Sequence, residues 1–340
     1  MTRAQRARKI AAAAAYGGGG LTLLGAASFA LLVAEARLAR KWVGTPDGDA
    51  PTVDGVYGSG KGDPVSLVMI GDSSAAGIGV YESQDSPAAL LADGLSAVAE
   101  RPVRLINVAK SGAQAKDLDG QVEQALEADP DLAVIMIGAN DVTHRVKPSV
   151  AVRHLERAVR RLRETGCEVI VGTCPDLGTV EPIAQPLRWL TRRWCRQLAA
   201  AQTIAAVEAG GRTVSLGDLL GPEFAANPKE MFGPDRFHPS ARGYAAAAAA
   251  VLPSMCAALG MWPETEALPD PRRGEGVLPV YLAAAEAVEE PGTEVAGTRV
   301  AGKERGPRGR WAMLVRRRQR GFPAPDDSVG AEETISGWAT

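Results

Sequence analysis

Histidine and cysteine are scarce in this chain: three histidines and four cysteines among 340 residues. So few histidines and cysteines cannot easily supply several metal sites. No C-x-x-C spacing occurs, so zinc-ribbon and thioredoxin-like chemistry lack their ligand pattern, and Cys167, Cys174, Cys195 and Cys256 read as buried free thiols. Aromatic side chains make up 5% of the chain, which disfavours a base-stacking platform. A formal net charge of −2 leaves no general electrostatic footprint for nucleic acid. What the chain has in quantity is apolar: 46% hydrophobic residues, too many for a wholly disordered protein and enough to bury a real core. If imidazole does chemistry here, the candidates are His144, His154 and His238.

Composition divides the chain into four parts. Residues 1–43 open with Arg3, Arg6, Arg8 and Lys9 and then run uncharged from Ile10 to Ala34. About 20 apolar residues span a bilayer, so this part reads as a transmembrane or signal-anchor helix. A cleaved signal peptide, with Ala34-Glu35-Ala36 as the cleavage site, and a buried core helix are the competing readings. The basic residues before the span bias the topology toward an inside N-terminus and an extracytoplasmic domain, against the pull of Arg37, Arg40 and Lys41 after it. Residues 44–64 are rich in Gly, Pro and Asp and read as a linker. Gly55 to Lys61 nearly matches a phosphate-binding loop, but Gly62 stands where Ser or Thr is required and the segment precedes a strand. Residues 263–340 read as a disordered tail with a basic stretch at Arg316, Arg317, Arg318 and Arg320.

Between them, residues 65–262 alternate short apolar runs with amphipathic segments. The runs Val65–Ile70, Val103–Val108, Leu132–Ile137, Val169–Val171 and Thr213–Leu216 mostly lack polar alternation, as expected of strands buried on both faces of a parallel sheet. Helices are predicted near 86–99, 117–128, 149–164, 186–209 and 240–259. In the third, Val152, Leu155, Val159 and Leu162 recur at helical spacing. The pattern predicts a three-layer α/β/α sandwich around a mainly parallel five-stranded sheet.

Ligands of such sheets bind at the carboxyl ends of the strands. The first strand exits through Gly71-Asp72-Ser73, the second toward Gly112, and the third through Gly138-Ala139-Asn140-Asp141. Asp235-Arg236-Phe237-His238-Pro239 precedes the last helix. These are the parts of acyl transfer. A serine hydroxyl needs a base to take its proton, which neutral His238 can do. Asp235 can bond the other ring nitrogen and fix its tautomer. Backbone N–H groups of Ser73 and Gly112 and the Asn140 amide can converge on an oxyanion. Taken singly, each residue has a plainer reading: Ser73 and Asp235 as caps, Asn140-Asp141 as a turn, His154 as a solvated helix residue.

With these blocks in this order, residues 65–260 resemble the SGNH/GDSL hydrolases. The Gly-Asp-Ser block matches Gly71 to Ser73, the glycine block Gly112, the Gly-x-Asn-Asp block Gly138 to Asp141, and the Asp-x-x-His block Asp235 and His238. Ser74 departs from the leucine that often follows the serine. The resemblance implies the flavodoxin-like SGNH fold, with Ser73, Asp235 and His238 catalytic and Ser73, Gly112 and Asn140 forming the oxyanion hole. It implies no metal and no organic cofactor, and substrates that are esters or acylated small molecules, lipids or glycans. An acyltransferase using the same acyl-enzyme, or a silent binding domain, remains an alternative. After the fourth strand, Ile183, Leu187 and Trp189 are expected to wall the acyl site, and His144 to rim it. The Gly-x-Ser-x-Gly elbow of α/β-hydrolases is absent. Nucleic acid is not an expected partner; the membrane, through the N-terminal helix, is.

Overall fold

The computed structural model describes residues 30–39, 41–42, 49–261 and 294–296. Seven strands form one sheet: β1 (Gly55–Tyr57), β2 (Val65–Gly71), β3 (Val103–Asn107), β4 (Leu132–Met136), β5 (Glu168–Gly172), β6 (Arg212–Val214) and β7 (Glu294–Ala296). The spatial order is β1-β3-β2-β4-β5-β6-β7. The five inner strands are the predicted ones and are all parallel. Both edges are antiparallel additions. β1 lies in the segment read as linker, and β7 in the segment read as tail. Three residues are too few to show a period, and each strand is specified by the open edge it covers. The remainder of the tail, and most of the apolar run from Ile10, lie outside the described residues. Among the described residues no helix is long and apolar enough to cross a membrane.

The helices are α1 (Ser73–Ala76), α2 (Pro87–Ala99), α3 (Leu118–Leu126), α4 (Ala139–Thr143), α5 (Pro148–Glu164), α6 (Leu187–Glu208), α7 (Leu216–Ala226), α8 (Pro228–Met231) and α9 (Ala241–Ala258). Successive side chains of a strand face opposite ways, so one buried strand feeds two cores. Val68 and Ile70 of β2 pack with Leu118 and Val122 of α3 and Leu155 and Val159 of α5. Leu67 and Met69 pack on the other face with Leu91 and Leu95 of α2 and Val251 and Met255 of α9. The three layers follow from that alternation. Burial of each such side chain contributes about 1.5–3 kcal/mol. The predicted stripe of α5 faces inward, with Leu155, Val159 and Leu162 fully buried and Val152 partly so.

The order of the parallel strands places the switch point between β2 and β4, where the chain winds away in opposite directions. Both strands end at that crevice, β2 in the turn to α1 and β4 in the turn to α4. Ahead of the sheet, residues 30–39 are helical and end against the same core, with Ala39 buried in it.

Candidate active site

Ser73 owes its position to the residues on either side of it. Asp72 caps α1, its Oδ1 accepting from the Ser74 N–H at 3.0 Å. Two residues before Ser73, the Gly71 peptide is held from both ends by Gln121 of α3. The Gln121 side chain accepts from the Gly71 N–H at 2.7 Å and donates to the Gly71 carbonyl at 2.9 Å. Gln121 is 1% exposed, so neither bond competes with water.

The two neighbouring strand exits are tied to each other. Asn140 Nδ2 donates to the Ala113 carbonyl at 3.1 Å, and both oxygens of Asp141 accept from the Ala115 N–H at 3.2 and 3.1 Å. One of the two Asn140 amide hydrogens is left for a ligand. Gly112 sits between these anchors at φ +80°, in the left-handed region, with nothing within 4 Å of where a Cβ would stand. Its N–H and that of Ser73 make no hydrogen bond within the described residues. Beneath Asn140, buried Gln202 of α6 accepts from the Cys174 N–H at 2.7 Å and donates to the Ile137 carbonyl at 2.9 Å, joining the ends of β4 and β5.

The loop after α8 closes on itself to deliver the third group. The Gly233 N–H donates to the His238 carbonyl at 2.8 Å, and Arg236 is forced to φ +61°. Asp235 Oδ1 accepts the N–H groups of Phe237 and His238, both at 2.9 Å. Its Oδ2 lies 2.5 Å from His238 Nδ1, and His238 Nε2 lies 2.9 Å from Ser73 Oγ. Gly79 makes room for this ring: a Cβ there would stand 2.9 Å from His238 Cβ and 2.7 Å from the Pro239 carbonyl oxygen. Ser73, Asp235 and His238 are 7%, 5% and 8% exposed.

Burial alone would raise the Asp235 carboxyl, but hydrogen bonds from His238 and the Phe237 and His238 N–H groups hold it below its ordinary value. Asp72 goes the other way. It is buried, and that pushes it from 3.8 to about 6, against the Ser74 N–H and the nearby His238 ring that favour its charge. Two carboxyls flank one imidazole, and their environments separate them.

Ser73 and His238 line a cavity of about 80 Å³. Leu216, Leu220, Gly221 and Phe224 of α7 wall it, with Phe232 and Phe237 from the His238 loop and Leu177 and Val180 from the β5 exit. Hydrogen bonds join Ser73, His238 and Asp235, and Ser73, Asn140 and His238 line the cavity, while Gly112 sits in the loop that Asn140 and Asp141 tie down. The expected pocket residues Ile183, Leu187, Trp189 and His144 do not line it. Ile183 is buried in the core under α6, and Leu187 packs against the same core. Trp189 points to solvent, 59% exposed, with the Arg193 guanidinium 5.8 Å from its ring centre. His144 is exposed beyond α4, its Nδ1 2.8 Å from the Asn140 carbonyl oxygen. The segment after β5 gives Leu177, Thr179 and Val180 to the cavity but not Ile183, Leu187 or Trp189, and α7 supplies Leu216, Leu220 and Phe224 beside them. Leu216, Leu220 and Phe224 at helical spacing were the available signal for that wall; Gln121, Gln202 and Gly79 carried none. Among the described residues no group of three His, Cys, Asp or Glu side chains could hold a metal ion.

A family model described as the GDSL-like lipase/acylhydrolase family matches residues 69–246. The GDSL-like esterase Rv1075c of Mycobacterium tuberculosis is 42% identical over 251 residues, covering 70% of this chain and 79% of that protein. Among solved structures, TesA matches with 21% identity over 57% of this chain and 99% of its own, at a TM-score of 0.46. A catalytic mutant of Axe2, an acetylxylan esterase from Geobacillus stearothermophilus, matches with 23% identity over 57% of this chain and 95% of its own, also at 0.46. The four sequence blocks, the parallel order β3-β2-β4-β5-β6 and the two sequence matches agree: the chain belongs to the GDSL-like lipase/acylhydrolase family of ester hydrolases.

Proposed function

We propose that the protein hydrolyses carboxylic esters through a Ser73 acyl-enzyme, with His238 as general base and then acid. The observation that carries this reading is the continuous chain Ser73 Oγ, His238 Nε2, His238 Nδ1, Asp235 Oδ2, with links of 2.9 and 2.5 Å. With Nδ1 protonated against Asp235, Nε2 accepts the Ser73 proton as Oγ attacks the carbonyl carbon. The imidazolium then gives that proton to the alcohol oxygen as the carbon–oxygen bond breaks. Water repeats the sequence on the acyl-enzyme and frees the acid. The oxyanion of each tetrahedral intermediate is held by the Ser73 and Gly112 N–H groups and the free amide hydrogen of Asn140. Each donor stabilises the transition state by about 3 kcal/mol.

A fluorophosphonate probe, together with p-nitrophenyl acetate turnover, tests this. The wild-type protein is expected to label and to hydrolyse, and Ser73→Ala to do neither while keeping its circular dichroism. Equal turnover by the folded Ser73→Ala protein would sink the mechanism. The uncharged run from Ile10 to Ala34, preceded by four basic residues, supports a further proposal, that the chain is held at a membrane. Release of the full chain from membranes by alkaline carbonate would contradict that.

A further inference from the structure

The cavity behind Ser73 has a definite size and one unexplained residue in its wall. During turnover by an acyl-enzyme the alcohol leaves and water takes its place, so that side of the serine must stay open to solvent. The acyl group stays bound through both half-reactions, and the recessed, mainly apolar space suits it. A water-sized group needs roughly 10–15 Å³ of such space, so about 80 Å³ takes some five to eight of them. A straight acyl chain of about six carbons fills that volume.

Gly221 faces the cavity from within α7. Glycine inside a helix costs roughly 1 kcal/mol relative to alanine, so its presence asks for a reason. Backbone conformation supplies none, because Gly221 has no positive φ. Close packing supplies none either: a Cβ would meet its nearest neighbour, Asp176 Cβ, at 3.8 Å, an ordinary contact. Nor does the following Pro222 require it, since Leu252 precedes Pro253 inside α9 with a full side chain. What the missing side chain preserves is the cavity itself. Across it, Gly243 is different: a Cβ there would stand 2.4 Å from the Met231 carbonyl oxygen, so that glycine is explained by packing.

We infer that this cavity is a short acyl pocket, selecting esters of unbranched acids of two to about six carbons, and that Gly221 is a specificity-determining residue whose lack of a side chain sets its depth. The inference rests on the Ser73 acyl-enzyme, which places the acyl carbon at the mouth of the cavity. Each methylene buried in it raises kcat/KM roughly fourfold until the floor is reached. Beyond that length the chain has to bend out past Phe224 and the gain reverses.

The test is a series of p-nitrophenyl esters from acetyl to dodecanoyl, assayed with the full chain as wild type, Gly221→Leu and Phe224→Ala. The wild-type profile is expected to peak at or below about six carbons. Gly221→Leu should raise the acetyl-to-hexanoyl ratio of kcat/KM by roughly tenfold or more, and Phe224→Ala should move the peak about two carbons longer. Retained fluorophosphonate labelling certifies that each variant is folded. If Gly221→Leu loses it, Gly221→Ala, whose Cβ has room, carries the test with a ratio change of about threefold. A wild-type profile that climbs to dodecanoyl, or variants that scale every ester equally, would overturn the pocket while leaving the serine mechanism standing. No labelling and no turnover of any ester by the wild type would instead remove the mechanism on which the pocket rests.

Discussion

The catalytic edge and the cavity wall are a few ångströms apart and are built by opposite means. At the edge, each turn that carries a candidate catalytic group is pinned by directional hydrogen bonds, most of them buried. Gln121 holds Gly71, Asn140 and Asp141 hold the Gly112 loop, Gln202 holds the exits of β4 and β5, and Asp235 holds His238. The wall is apolar contact: Leu216, Leu220 and Phe224, with Phe224 edge-on to Phe232 at 4.9 Å between ring centres. Hydrogen bonds fix angles and fail abruptly; apolar packing fixes volume and yields gradually. Acyl transfer needs the first and selection among acyl chains needs the second.

The comparison breaks first at Asn140. If the edge depends on directed donors, Asn140→Ala removes one proposed oxyanion donor and the tie to Ala113 together. A fall in kcat of about 10²–10³ is expected, with KM little changed. Steady-state kinetics on p-nitrophenyl acetate decides it, and a loss below tenfold would show that the Ser73 and Gly112 N–H groups suffice.

Gln121 sharpens it, because this side chain touches no reacting atom. Gln121→Leu fills similar space and leaves the Gly71 N–H and carbonyl without their partners in a buried site. Misplacement of Ser73 by a fraction of an ångström is expected to lower kcat by up to about 100-fold. The unpaired peptide should cost about 1–3 kcal/mol of stability. Gln121→Glu, which keeps an acceptor for the Gly71 N–H, should recover part of kcat. If kcat follows stability alone across the two variants, Gln121 is a packing residue and nothing more.

These residues also mark where reading from sequence stops. The five parallel strands were legible because a strand buried on both faces is apolar throughout, and such runs stand out. Ser73, Gly112, Asn140, Asp235 and His238 stood out as candidates because chemistry restricts residue type and the strand exits restrict order. β1 and β7 were not, being three residues each and specified by the edge they cover. The wall was misassigned for a related reason. Ile183, Leu187 and Trp189 are the apolar residues expected at the acyl site, yet which apolar segment folds over a site is set by packing of distant elements. Leu187 and Trp189 went into α6, and α7, whose Leu216 reads as the end of a strand, supplied the wall together with Leu177 and Val180. Gln121 and Gln202 belong to helices, where a glutamine ordinarily marks the solvated face.

Asp72 places a charge where edge and wall meet, and pH can pull them apart there. Its carboxyl is raised from 3.8 to about 6 by burial in the apolar surroundings of the cavity. A raised carboxyl favours the fold while protonated, so its contribution is fully present below 3.8 and is lost as pH rises through about 6. The gap between 3.8 and about 6 corresponds to roughly 3 kcal/mol across that window. Asp72→Asn keeps an acceptor for the Ser74 N–H and cannot ionise. Thermal melts of the two proteins from pH 4 to 8 should show the variant gaining on the wild type as pH rises through the window. Parallel curves would mean that His238 and the Ser74 N–H already offset the burial of the charge.

The smallest expected effect lies farthest from the chemistry. Helix α6 carries Gln202 to the edge, yet its own first turn has no side-chain cap from Pro186. The missing acceptor comes from the helix at residues 30–39: Glu35, 7% exposed, accepts from the Leu187 N–H at 2.9 Å. A carboxylate at a helix N-terminus satisfies an orphan donor and opposes the helix dipole, worth about 0.5–2 kcal/mol when removed. Glu35→Ala should therefore lower stability by about 1 kcal/mol, and Glu35→Gln, which keeps the acceptor, by less. Neither should change the acetyl-to-hexanoyl ratio, because the wall is α7 and not the start of α6. A shift in that ratio on losing Glu35 would mean that the N-terminal helix reaches the cavity through α6, and that edge and wall are not independent parts of the molecule. Urea melts and the ester series, run on the same two variants, separate these outcomes.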